Sequence, residues 1–505
     1  MRIARPGLLH ERRALKASQG AASARAKLGV RNVMGSIGRE FTVIVAGGGA
    51  SGTLFAAEFM RRAGRARVVI VEPRERLGAG TAYSTDCPGH VLNVPAAKMS
   101  AHSGDADHFV RWLRDGGYEQ YDGASFVPRS IYGAYLNAVA ARAASAAKAR
   151  WRHVLALVSD ARIDGDGVHV TLSNGETFVG DALVIASGNA EPATWPHVAA
   201  GRSKRFFDSA WNPEALAISA PHEHTLVLGT GLTAVDAVLA LRHNGQRGTV
   251  HMVSRRGLLP HEHRLFDTPP AACPEAETLG DLFDAVRASA RRSEATDGNW
   301  RKAVDGLRPQ TNALWQSLTF TEQRRFLVHA LPYWNAHRHR MAPEVAQRLT
   351  ALVAAGDLRM IAGRVVKIAA TEREVCIRIQ PRGGGRPVAL SVGRVINCSG
   401  PEHDFEKLSS PLVRHLLERG LMVPSPLRVG VQIAPNGALI GSAGGPSGRL
   451  FAIGPVRYGT LIETTAIPEI RTQACELAEL LASGTETASR SDALPKRRLE
   501  SSQPA

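Results

Sequence analysis

Residues 41–73 read FTVIVAGGGASGTLFAAEFMRRAGRARVVIVEP. Phe41–Ala46 is an apolar, β-branched run, the pattern of a strand buried in a parallel sheet. Gly47, Gly49 and Gly52 form G-x-G-x-x-G, and Leu54, Phe55, Phe59 and Met60 follow at helical spacing. A second apolar run, Val68–Val71, ends at Glu72, twenty residues after Gly52. A glycine trio alone marks only a turn. Strand, trio, helix, strand and acid in register make the dinucleotide-binding fingerprint. Gly47 permits the sharp turn, Gly49 lets the backbone approach a pyrophosphate, and Gly52 lets helix and strand lie close. Ala50 and Ser51 open the helix, whose free N–H groups and positive dipole end face the anion. Glu72 is placed to accept hydrogen bonds from ribose hydroxyls.

Residues 224–256 repeat the unit: HTLVLGTGLTAVDAVLALRHNGQRGTVHMVSRR. Thr225–Leu228 is the strand and Gly229-x-Gly231-x-x-Ala234 the turn, with alanine tolerated at the third position. A helix is expected from about Thr233 to Arg242 and a strand over Thr249–Val253. Ser254 lies twenty residues after Ala234, the register Glu72 holds after Gly52, and Arg255 and Arg256 follow it. A carboxylate there suits a free 2′-hydroxyl and repels a 2′-phosphate; arginine, with its planar fork, does the reverse. The first unit should bind a dinucleotide without a 2′-phosphate, and the second should prefer NADPH to NADH.

The chain has 505 residues, 44% hydrophobic and 21% charged, a composition for two or three globular domains. Its formal charge of +16 raises the question of nucleic acid. Nine lysines stand against fifty-three arginines, a bias that needs no ligand, and residues 1–39 hold nine basic residues and one acid, Glu11. No basic stripe interleaved with aromatics follows, so a nucleic-acid partner is not expected. Nor is a membrane span, which takes about 18–20 uninterrupted apolar residues. Residues 1–39 read as a basic disordered arm or a mis-called start with Met34 as the first residue. The polar residues 483–505 read as a disordered tail. Cys87, Cys273, Cys376, Cys398 and Cys475 are scattered, with no C-x-x-C, which argues for a reducing, cytoplasmic setting and against a disulfide framework.

Two such units, about 180 residues apart, match the layout in which an NADPH domain is inserted into an FAD domain. The expected fold is α/β, with two Rossmann-like dinucleotide-binding domains and a helical insertion. The expected segments are 41–215 (FAD, first part), 216–393 (NADPH, with a helical insert at about 262–355) and 394–482 (FAD, second part). Asp181–Gly188 and Arg394–Pro401 read as crossover strands ending in small-residue turns. Leu450–Ile453 should be a strand ending at Gly454, with a helix from Thr464 or Thr465 to Leu481. Many such flavoproteins have Gly-Asp after that strand, the Asp holding the ribityl chain. Here Pro455 replaces it, and Glu463 or the backbone of Thr464–Ala466 are the candidates instead.

GTAYSTDCPGHVLNVPAAKMSA (80–101), FVPRSIYGAYL (126–136), WNAHRHRMAPE (334–344) and IETTAIPEIRTQA (462–474) resemble the FAD/NAD(P)-binding family that includes FAD-dependent urate hydroxylase and L-aspartate N-monooxygenase. The resemblance spans about residues 41–480. It implies FAD and NADPH as cofactors, and it places Asn93 and Met99 by the flavin ring. Gly454, Glu463 and Thr464 are then further FAD contacts, and Gly229, Gly231, Ala234, Ser254, Arg255 and Arg256 hold NADPH.

A flavin supplies the reactive centre, so the protein need not provide a nucleophile. Reduction of a disulfide through a protein dithiol would need paired cysteines. The F-x-G-x-x-x-H-x-x-x-W signature of Baeyer–Villiger enzymes is missing: the segment before the second glycine turn reads RFFDSAWNP. Monooxygenation of a small polar metabolite through a C4a-hydroperoxide of the flavin, with O₂ as co-substrate, is the reading the resemblance favours. An NADPH-dependent reductase and a non-catalytic redox-sensing flavoprotein are the alternatives. In YWNAHRHR (333–340), Arg338 and Arg340 are candidates to hold a carboxylate or phosphate and His339 to move a proton; a basic helix end is the plainer account. His251 reads as a packed strand residue, and His261-Glu262-His263 lacks a third metal ligand. Substrate and oligomeric state are not legible.

Overall fold

The computed structural model describes residues 40–195, 204–265 and 269–491. The arm at 1–39 lies outside the described residues. No helix among the described residues is long and apolar enough to cross a membrane.

Two sheets carry the molecule. The first runs in spatial order Ala438–Ile440, Pro446–Ala452, Ala182–Ile185, Thr42–Ala46, Arg67–Val71, Trp151–Val154. Its central strands are parallel, with Val43 opposite both Val68 and Ala182. Four of the five residues of Thr42–Ala46 are buried, because both faces are covered: Val43 and Val45 pack with helix residues, and Ile44 and Ala46 pack in a core with Val168, Val170, Leu172 and Leu416. The helix Ala50–Arg62 lays Leu54, Phe55 and Phe59 into one face, and the C-terminal helix from Ile467 lies against it. The second sheet runs Val388–Val392, Val375–Pro381, Leu358–Ala370, Val250–Ser254, Thr225–Leu228, Arg394–Asn397, Phe206–Phe207. Its four central strands are parallel, and its antiparallel edge continues from Leu358–Ala370. The helix Leu232–His243 is buried from Ala234 to Leu241, so it reads as almost wholly apolar rather than amphipathic.

The domain boundaries differ from the sequence reading. Phe206–Phe207, expected in the first part of the FAD domain, and Arg394–Asn397, expected in its second part, both pair in the second sheet. By sheet membership, the second unit therefore runs from about 204 to 400. An apolar crossover strand reads the same in either sheet, and its neighbours decide which one it joins. The helical insert is also shorter than 262–355: Pro343–Ala354 is the crossover helix between the parallel strands Val250–Ser254 and Leu358–Ala370. A three-stranded antiparallel sheet, Val158–Ile163, Val168–Leu172 and Thr177–Gly180, was not anticipated. The C-terminal helix begins at Ile467, later than expected, and continues to Ser491, into the stretch read as tail. Residues 483–491 hold no proline, and an existing helix propagates at little cost.

Candidate active site

Both glycine turns are built alike. Gly47 N–H donates to Val71 O at 2.9 Å, and Gly229 N–H to Val253 O at 2.8 Å. Both glycines have positive φ, 106° and 115°. In each, a Cβ would collide with the end of the crossover strand: 2.5 Å from Ala186 O for Gly47, 2.3 Å from Cys398 O for Gly229. Only glycine fits there. A Cβ on Gly52 would lie 1.9 Å from Gly47 O, so the close packing of helix on strand also excludes a side chain. Gly49 and Gly231 are different. A Cβ on Gly231 meets nothing within 4 Å, and one on Gly49 only Gly80 Cα at 3.4 Å. The fold thus leaves Gly231 open above its helix N-terminus, while Gly49 faces the backbone of Gly80; both admit a Cβ without the backbone collision seen at Gly47, Gly52 and Gly229.

Glu72 is buried at the end of its strand. Its Oε2 accepts from Gly48 N–H at 2.9 Å, and Oε1 pairs with Arg74 Nη1 at 3.0 Å. It braces the turn from the end of its strand. Ser51 and Gly454 also meet: a Cβ on Gly454 would come 2.3 Å from Ser51 Oγ. Gly454 N–H donates to Gln473 Oε1 at 2.9 Å, and Thr464 Oγ1 donates to Gly454 O at 2.8 Å.

A cleft of about 1440 Å³ lies between the two units. Asn93 and Met99 line it from the first unit, and Pro455, Thr465 and Ala466 from the C-terminal segment. Met99 is also core, and its carbonyl accepts from Tyr132 Oη at 2.9 Å. Gly229, Gly231, Ser254, Arg255 and Arg256 line the cleft from the second unit, and Trp334, Asn335 and His339 from the insert. Ala234 is fully buried within its helix and is not in the lining.

Ser254 is structural: its Oγ accepts from Thr230 Oγ1 and from Gly257 N–H, each at 2.9 Å. Arg255 is exposed and has no ion-pair or hydrogen-bond partner among the described residues. Arg256 lies over the Tyr333 ring at 5.3 Å, with Nη2 at 3.4 Å from Val328 O and His329 O. Arg364, missed in the sequence, lines the same cleft. Ser254 is opposite Ala362 in the parallel pair, so Arg256 and Arg364 both lie two residues beyond one register point. The signal was topological: Arg364 joins the site only once Leu358–Ala370 is known to flank Val250–Ser254.

Three other expectations are corrected. Arg338 and Arg340 are buried and stand outside the cleft lining. Arg338 Nη2 pairs with Glu463 Oε2 at 2.9 Å, and Arg340 pairs with Asp305. Glu463, proposed for the ribityl chain, is thereby committed to Arg338, and its carboxyl is pushed up by burial against the opposing pull of that arginine. Thr464 is committed to Gly454 O, which leaves Thr465 and Ala466 as the members of that segment facing the cleft. Neighbouring charges, 125 residues away for Glu463 and Arg338, turned a ligand-like basic run into an internal brace.

His339 does reach the cleft. Burial, then the charges of Arg338 and Arg308, push its imidazole down to about 3, so it is neutral at physiological pH. His251 is buried in its strand with its ring 6.1 Å from His224, and burial lowers its pKa. His261 lies in a ring cluster with Trp300 and His337.

Paired glycine turns and crossover strands define a fold with two dinucleotide-binding units. Residues 43–190 match the family model described as FAD-NAD(P)-binding. Among solved structures, the chain is similar to ornithine hydroxylase from Pseudomonas aeruginosa (15% identity, TM-score 0.60, covering 88% of this chain and 100% of that one). It is similar too to L-lysine 6-monooxygenase from Pseudomonas syringae (17%, 0.60, 89% and 100%) and to bacillithiol disulfide reductase from Bacillus cereus (15%, 0.52, 88% and 99%). No curated protein matches significantly. At these identities the likeness establishes the fold.

Proposed function

We propose that the protein is an FAD-dependent, NADPH-consuming monooxygenase that hydroxylates a small polar metabolite. The observation that carries this is the duplicated turn: an acid ends the second strand of one copy, while unpaired arginine faces the shared cleft in the other. Bound FAD would supply hydride acceptance and oxygen activation. The chain fits both cofactors. Gly49 and the helix behind it would receive the FAD pyrophosphate, Glu72 its ribose, and Asn93 and Met99 the ring side of the cleft. Gly231 would receive the NADPH pyrophosphate, and Arg255, Arg256 and Arg364 its 2′-phosphate. His339, held neutral, can accept or donate a hydrogen bond without adding charge beside the ring.

Hydroxylation is supported by two of the structural relatives, which act on ornithine and lysine by name. An amine of the aspartate kind and an activated ring carbon of the urate kind both belong to this class of soft nucleophile. The free thiols at Cys87, Cys376, Cys398 and Cys475 suit a reducing, cytoplasmic setting. The test is oxygen uptake by purified protein with NADPH and candidate substrates. Substrate-dependent O₂ consumption matched to hydroxylated product supports the reading. Anaerobic turnover with an added acceptor and no coupled uptake would make the protein a reductase.

A further inference from the structure

A second concavity, about 520 Å³, opens where the loop 87–89 of the first unit meets two helices of the second, Leu232–His243 and Pro343–Ala354. Its lining includes three basic side chains, Arg242, His243 and Arg348, and no acid. His243 and Arg348 are exposed and have no ion-pair or hydrogen-bond partner among the described residues. Arg242 is held by two carbonyls, Gln246 O at 2.8 Å and Asp357 O at 2.6 Å. The Asp357 carboxylate, which favours that cation, lies outside the lining. Leu239 and Leu352 give the concavity an apolar floor.

The same space contains a thiol. Cys87 Sγ and Arg348 Nη1 border the bare Gly89: a Cβ there would lie 3.7 Å from the sulfur and 3.3 Å from the nitrogen. The turn that presents Cys87 is fixed. Cys87 N–H donates to Thr85 Oγ1 at 3.2 Å, and His90 N–H to Cys87 O at 3.0 Å. The His90 ring spans Thr85 Oγ1 at 2.6 Å and Asp236 O at 2.8 Å, and the Asp236 carboxylate is clamped by Arg129 at 2.7 and 3.3 Å. Burial alone would raise the thiol; the neighbouring His90 imidazole and the Gly89 and His90 N–H groups outweigh it and hold Cys87 below the ordinary range. A half-buried thiol with a lowered pKa, in a concavity lined by basic side chains, is the environment of an exchanging cysteine.

We propose that this concavity is a second site, which takes a small anionic disulfide, the oxidised form of a carboxylate-bearing thiol, and exchanges it with Cys87. The Cys87 thiolate attacks one sulfur of R–S–S–R. The Cys87–S–S–R bond forms, the old S–S bond breaks, and R–S⁻ leaves. The incoming disulfide is the oxidant, so Cys87 is oxidised as one R–S is reduced. Arg348 and His243 hold the carboxylates. The exposed Cys376, on the strand Val375–Pro381 of the second sheet, is an internal comparator.

The full chain is incubated with oxidised glutathione or with cystamine, a cationic disulfide, and adducts are mapped by peptide mass. Oxidised glutathione should modify Cys87 faster than Cys376, and faster than cystamine does by about ten-fold or more at low salt. Arg348→Gln with His243→Gln should remove that charge preference while the cystamine rate is unchanged or higher. Circular dichroism of the variant tests its folding, and Cys87→Ser identifies the adduct. Equal rates for the two disulfides, preference for Cys376, or an unaltered preference in the arginine–histidine variant would overturn the proposal.

Discussion

Replacing Arg255 and Arg256 by alanine should shift cofactor preference without touching the fold. Arg255 is exposed and unpartnered among the described residues, so its loss costs no internal contact. Arg256 gives up a cation–π contact with Tyr333 and two long bonds to carbonyls, all at the surface of the insert. A hydrogen bond to a charged group is worth about 1.5–3 kcal/mol. Exposure places each arginine near the lower end, so the pair should contribute about 2–3 kcal/mol toward the 2′-phosphate. At 1.4 kcal/mol per decade that is about a 30- to 150-fold fall in kcat/KM for NADPH. NADH, which has no 2′-phosphate, should change by no more than a few-fold. The assay is flavin reduction under anaerobic conditions with each nucleotide, at two ionic strengths, because screening should narrow the wild-type preference. An NADPH/NADH ratio equal to wild type in the double variant would refute the assignment of these arginines.

Arg364→Ala alone should lower NADPH use by about ten-fold through the same phosphate, with KM rising and flavin content unchanged. Gly49→Val should yield folded but colourless protein, since the fold tolerates a Cβ there and the pyrophosphate does not; absorbance at the flavin bands after gel filtration reads the outcome. Arg338→Met should destabilise by about 3–5 kcal/mol in urea unfolding because Glu463 is left buried without the cation that offsets its burial, and adding Glu463→Leu should recover most of it. His263 and His339 are both pushed down to about 3, the former by burial and then Arg340, the latter by burial and then Arg338. Their depressed values mean the unfolded chain binds protons that the fold refuses. Stability should be full above the ordinary histidine range and fall as pH drops toward 3, and His263→Gln should flatten that slope in denaturation at pH 7 and pH 4.

The two glycine turns were legible because their geometry is local. Gly47 and Gly229 must adopt positive φ, and Gly52 must lie against the turn, whatever surrounds them. The proposed preference for NADPH rests on a difference between two aligned strand ends that sequence alone displays, Glu72 and Arg255–Arg256. What failed depended on distant partners. Arg338 and Arg340 looked like ligand-binding cations until Glu463 and Asp305 were found beside them. Arg394–Asn397 could not declare its sheet without Thr225–Leu228 and Phe206–Phe207 as neighbours. The antiparallel sheet was missed although Val168–Leu172 alternates apolar and polar residues, the half-buried pattern, and its flanking turns at Asp164–Gly167 and Asn174–Gly175 are strong signals.

The proposed function requires that one chain hold two dinucleotides, one on each glycine turn. Spectroscopic titration of the purified protein with NADPH, without oxygen and then with it, tests this most directly. The account predicts a yellow protein carrying one FAD per chain, bleached by NADPH in preference to NADH and restored to yellow by air. A folded protein that binds no flavin, or one whose bound flavin NADPH leaves oxidised, would contradict it.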